Sequence, residues 1–169
     1  NPQSAIIFCN TKANVHYVAG VLQGFGYDAD ELSADLTQNK REAVLEKLRA
    51  GKVRLLVATD VAARGIDIPD LSHVFLYEPP EDRESYIHRS GRTGRAGAAG
   101  TVVSLVDIME KMELKRIASF YKIDLQPLSN PTDADVARAA GQREAARLDV
   151  LRRACTGLQL ERARRYMPL

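Results

Sequence analysis

The sequence predicts an α/β fold: an open, mostly parallel sheet with helices on both faces, followed by a helical tail. Two observations carry this. Short apolar, β-branched runs recur along the chain, and segments with helical periodicity separate them. Strands that are apolar throughout are buried on both faces, and crossover helices are what cover them. Such crossovers are right-handed almost without exception, and in these sheets function gathers in the loops at the carboxyl ends of the strands.

The elements follow in order. "SAIIFC" (4–9) reads as a buried strand, and an amphipathic helix runs from Ala13 to Phe25. "YDADEL" (27–32) is a weaker strand. Thr37 then caps a helix reaching Ala50, with Arg41 in its first turn and Ala43, Val44 and Leu48 along its apolar side. "VRLLVAT" (53–59), "SHVFLYE" (72–78) and "GTVVSLV" (100–106) are further strands, with "ESYIHRS" on a helix between the last two. "DIMEKMELKRIASFY" (107–121) is a helix with Ile108, Met112 and Ile117 on one face.

Pro127, Ser129, Asn130 and Pro131 mark a change of character. The expected organisation is one α/β domain over 1–126, a linker over 127–131 and a helical tail over 132–169. Leu148, Leu151, Cys155 and Leu158 form a narrow apolar stripe on that tail. Such a stripe docks on the main body, meets another copy of the chain as a homodimer contact or another domain, or frays.

Composition narrows the class. At 169 residues the chain holds one ordinary domain and an appendage. A hydrophobic share of 45% with 27% charged residues excludes a disordered chain. No apolar run approaches the roughly 20 residues that span a bilayer, and no charged-then-apolar leader opens the sequence. Cys9 and Cys155 fit no metal spacing, and Cys9 sits in an apolar run as a buried free thiol. A reducing, cytoplasmic compartment is expected. The net charge of +2 is uneven: residues 132–169 carry +3 and the remaining residues −1. Anion recognition in the main body must therefore come from placed side chains and backbone donors rather than from overall field.

Three segments carry chemistry. In "ATDVAARGIDIP" (58–69), Thr59 offers a hydroxyl where the chain leaves the sheet and Gly65 permits close backbone approach. Asp67 is an acceptor suited to ribose hydroxyls. Equally, Asp60 could start a short helix with Asp67 bonding local backbone, and this segment alone does not choose. "YIHRSGRTGRAG" places Arg89, Arg92 and Arg95 every third residue with Gly91, Gly94 and Gly97 between them. Like charges repel and glycine weakens a helix by about 1 kcal/mol each, so the pattern points to planar forks converging on a polyanion rather than to the alternative of a solvated surface loop with spare arginines. His88 by itself is ambiguous, since a lone histidine is more often a structural hydrogen-bonder than a catalyst. "LTQNKREAV" puts Gln38 and Arg41 in the first turn of a helix, itself an anion site, although without other context an exposed polar first turn is the simpler reading.

What the sequence lacks matters equally. It contains no GxxxxGK[ST] loop and no acidic cluster after a strand to hold Mg2+. It has arginines suited to a phosphate and nothing to hold the nucleotide.

These segments, in this order and spacing, resemble the C-terminal, second recombinase-like (RecA-like) domain of DEAD-box ATP-dependent RNA helicases. "AIIFCNTK" (5–12) is similar to that family's motif IV, "QNKR" (38–41) to its Gln-x-x-Arg element, "ATDVAARGID" (58–67) to motif V and "HRSGRTGR" (88–95) to motif VI. The leading histidine of the last favours DEAD-box proteins over the related DEAH group. The resemblance covers about residues 4–125 and implies a P-loop-NTPase-type layer sandwich that lacks the P-loop.

It further implies one half of a two-domain ATPase, with ATP and RNA bound across the cleft between halves. Arg92 and Arg95 would be the arginine fingers at the γ-phosphate, and Asp67 the ribose contact. Gln38, Arg41, Thr59 and Gly65, with Thr11, would hold the RNA sugar–phosphate backbone without reading bases. His88 would latch the closed interface. ATP and Mg2+ would be held mainly by the family's N-terminal domain, the partner of this one, and this half alone would be inactive. The chain departs from the family at "SAD" (33–35), where His-Gly-Asp is usual, and at Ser90, where isoleucine is more frequent. The competing reading is a helicase-like interaction module that binds RNA or a partner and never joins an ATPase.

Overall fold

The apolar run near the start of the chain becomes β1 (Ala5–Phe8), every residue of which is buried. The computed structural model describes residues 2–65, 71–94 and 99–154. Asp67, Arg95, Gly97, Cys155 and Leu158 lie outside the described residues. The chain divides into two units, Asn1–Leu125 and Gln126–Leu169.

In the first unit β1 is followed by α1 (Lys12–Gly24), β2 (Ala29–Leu32), α2 (Gln38–Arg49), β3 (Leu55–Ala58) and α3 (Asp60–Ala63). Then come β4 (His73–Leu76), α4 (Arg83–Ser90), β5 (Thr101–Ser104) and α5 (Ile108–Tyr121). The five strands lie in the order β2-β3-β1-β4-β5, and every pairing is parallel. β1 is the middle strand, with Ile6 beside Leu56 on one side and Val74 on the other. The expected α/β sheet is therefore present, and wholly parallel in these strands.

Alternation along the strands builds two cores. Ile6, Phe8, Leu56, Ala58, Val74 and Leu76 face Val44, Leu45 and Leu48 of α2 together with Leu114 and Ile117 of α5. Ala5, Ile7, Cys9, Leu55 and Val57 face Val15, Val18 and Ala19 of α1. Helices thus cover both faces. Cys9 is a buried free thiol, and burial pushes its pKa up to about 12.

Three local expectations need correction. Thr37 stands at the N-cap of α2, but its side chain makes no capping bond. On the same helix Ala43 is exposed and Leu45 is buried, so the covered stripe is Val44, Leu45 and Leu48. On α5, Ile108 is 85% and Met112 57% exposed, whereas Leu114, Ile117 and Ala118 are buried. The covered face of α5 is the i, i+3, i+4 stripe of its second half, because only that half lies over the sheet core. Its first turn is closed instead by a reciprocal capping box between Asp107 and Glu110.

The second unit contains α6 (Asp133–Ala154). Thr132 and Asp135 bond each other at its start. Arg152 and Arg153 both pair with Asp149, and Leu148 and Leu151 are exposed. No described helix is long and apolar enough to cross a membrane.

Candidate functional site

Parallel strands bring the residues after β1, β3 and β4 to one edge of the sheet. After β1, the Asn10 amide donates to Glu78 Oε2 at 2.7 Å and its Nδ2 to the Pro79 carbonyl at 2.9 Å. Asn14 Nδ2 donates to the other Glu78 oxygen at 2.8 Å. The segments following β1 and β4 are therefore laced together before any ligand arrives.

After β3, Thr59 is the N-cap of α3, its hydroxyl oxygen accepting the Ala62 amide at 3.3 Å. Asp60 is thus the first residue of a short helix, and its carboxylate is taken by Arg89. Arg89 is 2% exposed. Its Nε and one amino group donate to the Asp60 carboxylate at 2.6 to 3.1 Å. The same amino group reaches Asn10 Oδ1 at 2.7 Å, and the other donates to the Glu78 carbonyl at 3.0 Å. The guanidinium also stands 5.4 Å from the centre of the Phe8 ring. Removing one partner of a buried ion pair typically costs about 3–5 kcal/mol, and somewhat less where, as here, one partner keeps solvent contact.

Helix α4 delivers that arginine. Its N-cap is Asp82, which accepts the Ser85 amide and hydroxyl, each at 2.7 Å. Those bonds hold the Asp82 carboxyl below the ordinary carboxylate range. Tyr86 and Arg89 form the buried side of α4, and Gly91 ends it. Arg92 comes next: its amide donates to the Arg89 carbonyl at 3.2 Å, and its own carbonyl accepts the Leu71 amide at 3.3 Å. Thr93 pairs with Leu71 in an isolated parallel bridge and its hydroxyl bonds the Leu71 carbonyl. Gly94 takes φ +70, a left-handed conformation that favours glycine.

A cleft of about 210 Å3 opens here, lined by Phe8, Asp60, Ala63, Arg64, Ser85, His88, Arg89 and Arg92. Asp60 is matched by Arg89, and among the described lining residues Arg64 and Arg92 give the wall its positive character. An anion suits such a wall. Among the described residues no group of three or more His, Cys, Asp or Glu could hold a metal ion.

The remaining candidates sit at the neighbouring strand ends. Thr11 is the N-cap of α1, its hydroxyl oxygen accepting the Asn14 amide at 3.1 Å. Gln38 opens α2 and donates to Glu42 at 2.9 Å. Arg41 is half-buried and donates to the Ala62 carbonyl at 3.0 Å, which ties α2 to α3. Gly65 is exposed at φ +67, so its left-handed backbone, and not crowding, favours glycine there. His88 is exposed in the cleft wall.

One expectation fails. Arg89 and Arg92 do not converge on one polyanion, because Arg89 turns inward as a buried bracket. Sequence reasoning also missed Asp60 and Glu78 as its acceptors and Arg64 as a wall residue. A spacing of three at the end of a helix whose preceding turn buries Tyr86 was the available signal for Arg89.

Residues 1–97 match the helicase conserved C-terminal domain family. Over 131 residues the chain is 47% identical to the ATP-dependent RNA helicase CshA of Listeria monocytogenes, covering 78% of this chain and 25% of that protein. The chain thus spans about a quarter of the length of the curated relatives it matches. Among solved structures, it is similar to the E. coli DEAD-box protein SrmB bound to regulator of ribonuclease activity A, with 35% identity and a TM-score of 0.66. That match covers 77% of this chain and 82% of the other. It is also similar to a variant of S. cerevisiae Dbp5 bound to RNA and ADP BeF3, with 34% identity, a TM-score of 0.68 and coverage of 82% and 38%.

Proposed function

The chain belongs to the DEAD-box RNA helicase family as its C-terminal domain, and from that premise we propose that it is the half of an ATP-dependent RNA helicase that completes the ATP site and holds the RNA backbone. The observation that supports this most directly is the positive cleft beside α4. There Arg92 is presented on a backbone bonded on both sides, to Arg89 and to Leu71.

Residues 1–169 contain no phosphate-cradling GxxxxGK[ST] loop, so ATP is held by an N-terminal helicase domain. Arg92, with Arg95, reaches the γ-phosphate when the halves close and stabilises charge developing in phosphoryl transfer. Asp67 takes the ribose, and His88 latches the closed interface. Mg2+ belongs to the N-terminal half, and no step on this chain passes through it. Gln38, Arg41, Thr59 and Gly65, with Thr11, hold RNA through its sugar–phosphate backbone, which leaves binding indifferent to sequence. The similar Dbp5 variant is bound to both RNA and ADP BeF3, which supports a domain that meets both ligands.

The test is Arg92→Ala in the full-length helicase. An arginine finger is worth about 10³–10⁵ in rate, so ATP turnover is expected to fall at least about a hundredfold while RNA affinity stays within about twofold. Unchanged turnover would overturn the reading.

A further inference from the structure

We propose that the buried Arg89–Asp60 pair is a positioning device for Arg92, governing the rate of ATP turnover without touching the nucleotide. This rests on the reading of Arg92 given above. Arg89 borders the cleft, but it is 2% exposed and all three of its side-chain nitrogens donate within the chain. Its bonds go to Asn10 after β1, Asp60 after β3 and Glu78 after β4. A planar fork held by three strand ends is a rigid joint, which a flexible ammonium would not provide. A buried ion pair is weak grounds for stability, since an apolar replacement often serves as well. Its geometry is the better reason for its presence.

That geometry passes directly to the next turn. The Arg92 amide donates to the Arg89 carbonyl at 3.2 Å, and the Leu71 amide donates to the Arg92 carbonyl at 3.3 Å. The backbone of Arg92 is thus held on both sides while its side chain stands in the cleft wall. Asp60 also opens α3, whose cap is Thr59 and whose Ala62 carbonyl accepts Arg41. One ion pair therefore joins the segment proposed to hold RNA to the segment proposed to reach the phosphate. A misplacement of about 1 Å at such a group is enough to lose roughly a hundredfold in rate.

A purely structural rivet would act independently of Arg92, and a double-mutant cycle separates the two. The full-length helicase is compared with Arg89→Lys, which keeps the charge and loses the fork, and with Asp60→Asn, which keeps the shape and loses the charge. Each is also combined with Arg92→Ala, with single-turnover ATP hydrolysis, KM for ATP, RNA affinity and thermal melting all measured. We expect either single change to lower the hydrolysis rate about tenfold or more, with KM and RNA affinity within about twofold. With alanine already at position 92, the same changes are expected to have no further effect. Asp60→Asn carries the test if Arg89→Lys melts below the assay temperature. A loss that persists undiminished beside Arg92→Ala overturns the proposal, as does a wild-type rate in both variants. Unchanged turnover in Arg92→Ala alone strikes the underlying reading first, and the proposal with it.

Discussion

The amide of Arg92 donates to the carbonyl of Arg89 at 3.2 Å, so the arginine in the cleft wall hangs from the arginine buried beneath it. Two residues of one type, three apart, thereby have opposite tasks. Arg89 directs its donors to Asp60, Asn10 and Glu78, whereas the bonds that Arg92 makes to Arg89 and Leu71 are through its backbone. The consequences of this arrangement extend beyond the cleft.

The turn after Arg92 depends on Gly100. A Cβ there would stand 2.3 Å from Thr93 Oγ1 and 2.5 Å from the Gly94 nitrogen, so backbone must move. Gly100→Ala is expected to lose about 1–3 kcal/mol in urea denaturation, as overpacking does, and to slow ATP turnover in the full-length helicase. Gly20→Ala, in the interior of α1 with open space around it, is the control and should gain about 0.5–1 kcal/mol. Equal stability of the two variants would contradict this account.

The face of α5 makes a paired prediction. Ile117→Ala empties a site that is 1% exposed and should cost about 2–5 kcal/mol. Ile108→Ala and Met112→Ala remove exposed side chains and should stay within about 0.5 kcal/mol of the parent. Chemical denaturation of the three variants decides it, and a large loss at Met112 would place the buried stripe elsewhere.

Acid should uncap α4. Hydrogen bonds from Ser85 favour the charged form of Asp82 and hold its pKa below the ordinary value. A depressed carboxylate contributes stability that is complete above the unfolded value, near 3.9, and disappears as pH falls through the folded one. The stability gap between the parent and Asp82→Ala should therefore be flat at neutral pH and narrow below about pH 4. A gap that stays constant down to pH 2 would exclude this role for the charge.

Cys9 should be chemically silent in the folded protein. With its pKa pushed up to about 12 by burial, almost no thiolate is present at pH 8. Alkylation located by mass spectrometry, which distinguishes Cys9 from Cys155, should reach it only after denaturant is added. Rapid native labelling at Cys9 would show the strand opening far more readily than its burial implies.

The sequence by itself determined the kind and order of the elements in the first unit. Apolar runs such as "SAIIFC" and "RLLVA" announce buried strands because a strand covered on both faces has no polar alternation to keep. It also determined the family, through the spacing of the "QNKR", "ATDVAARGID" and "HRSGRTGR" segments. Periodicity reports which residues share a face, but not which face meets the sheet, and so Ile108 and Met112 were wrongly grouped with Ile117. Nor does a repeated arginine carry its own direction. Arg89 faces inward because the parallel sheet delivers Asn10 from 79 residues away and Asp60 from 29 residues away to the same edge. Burial there demands a partner for every donor, and only the tertiary structure assembles those partners.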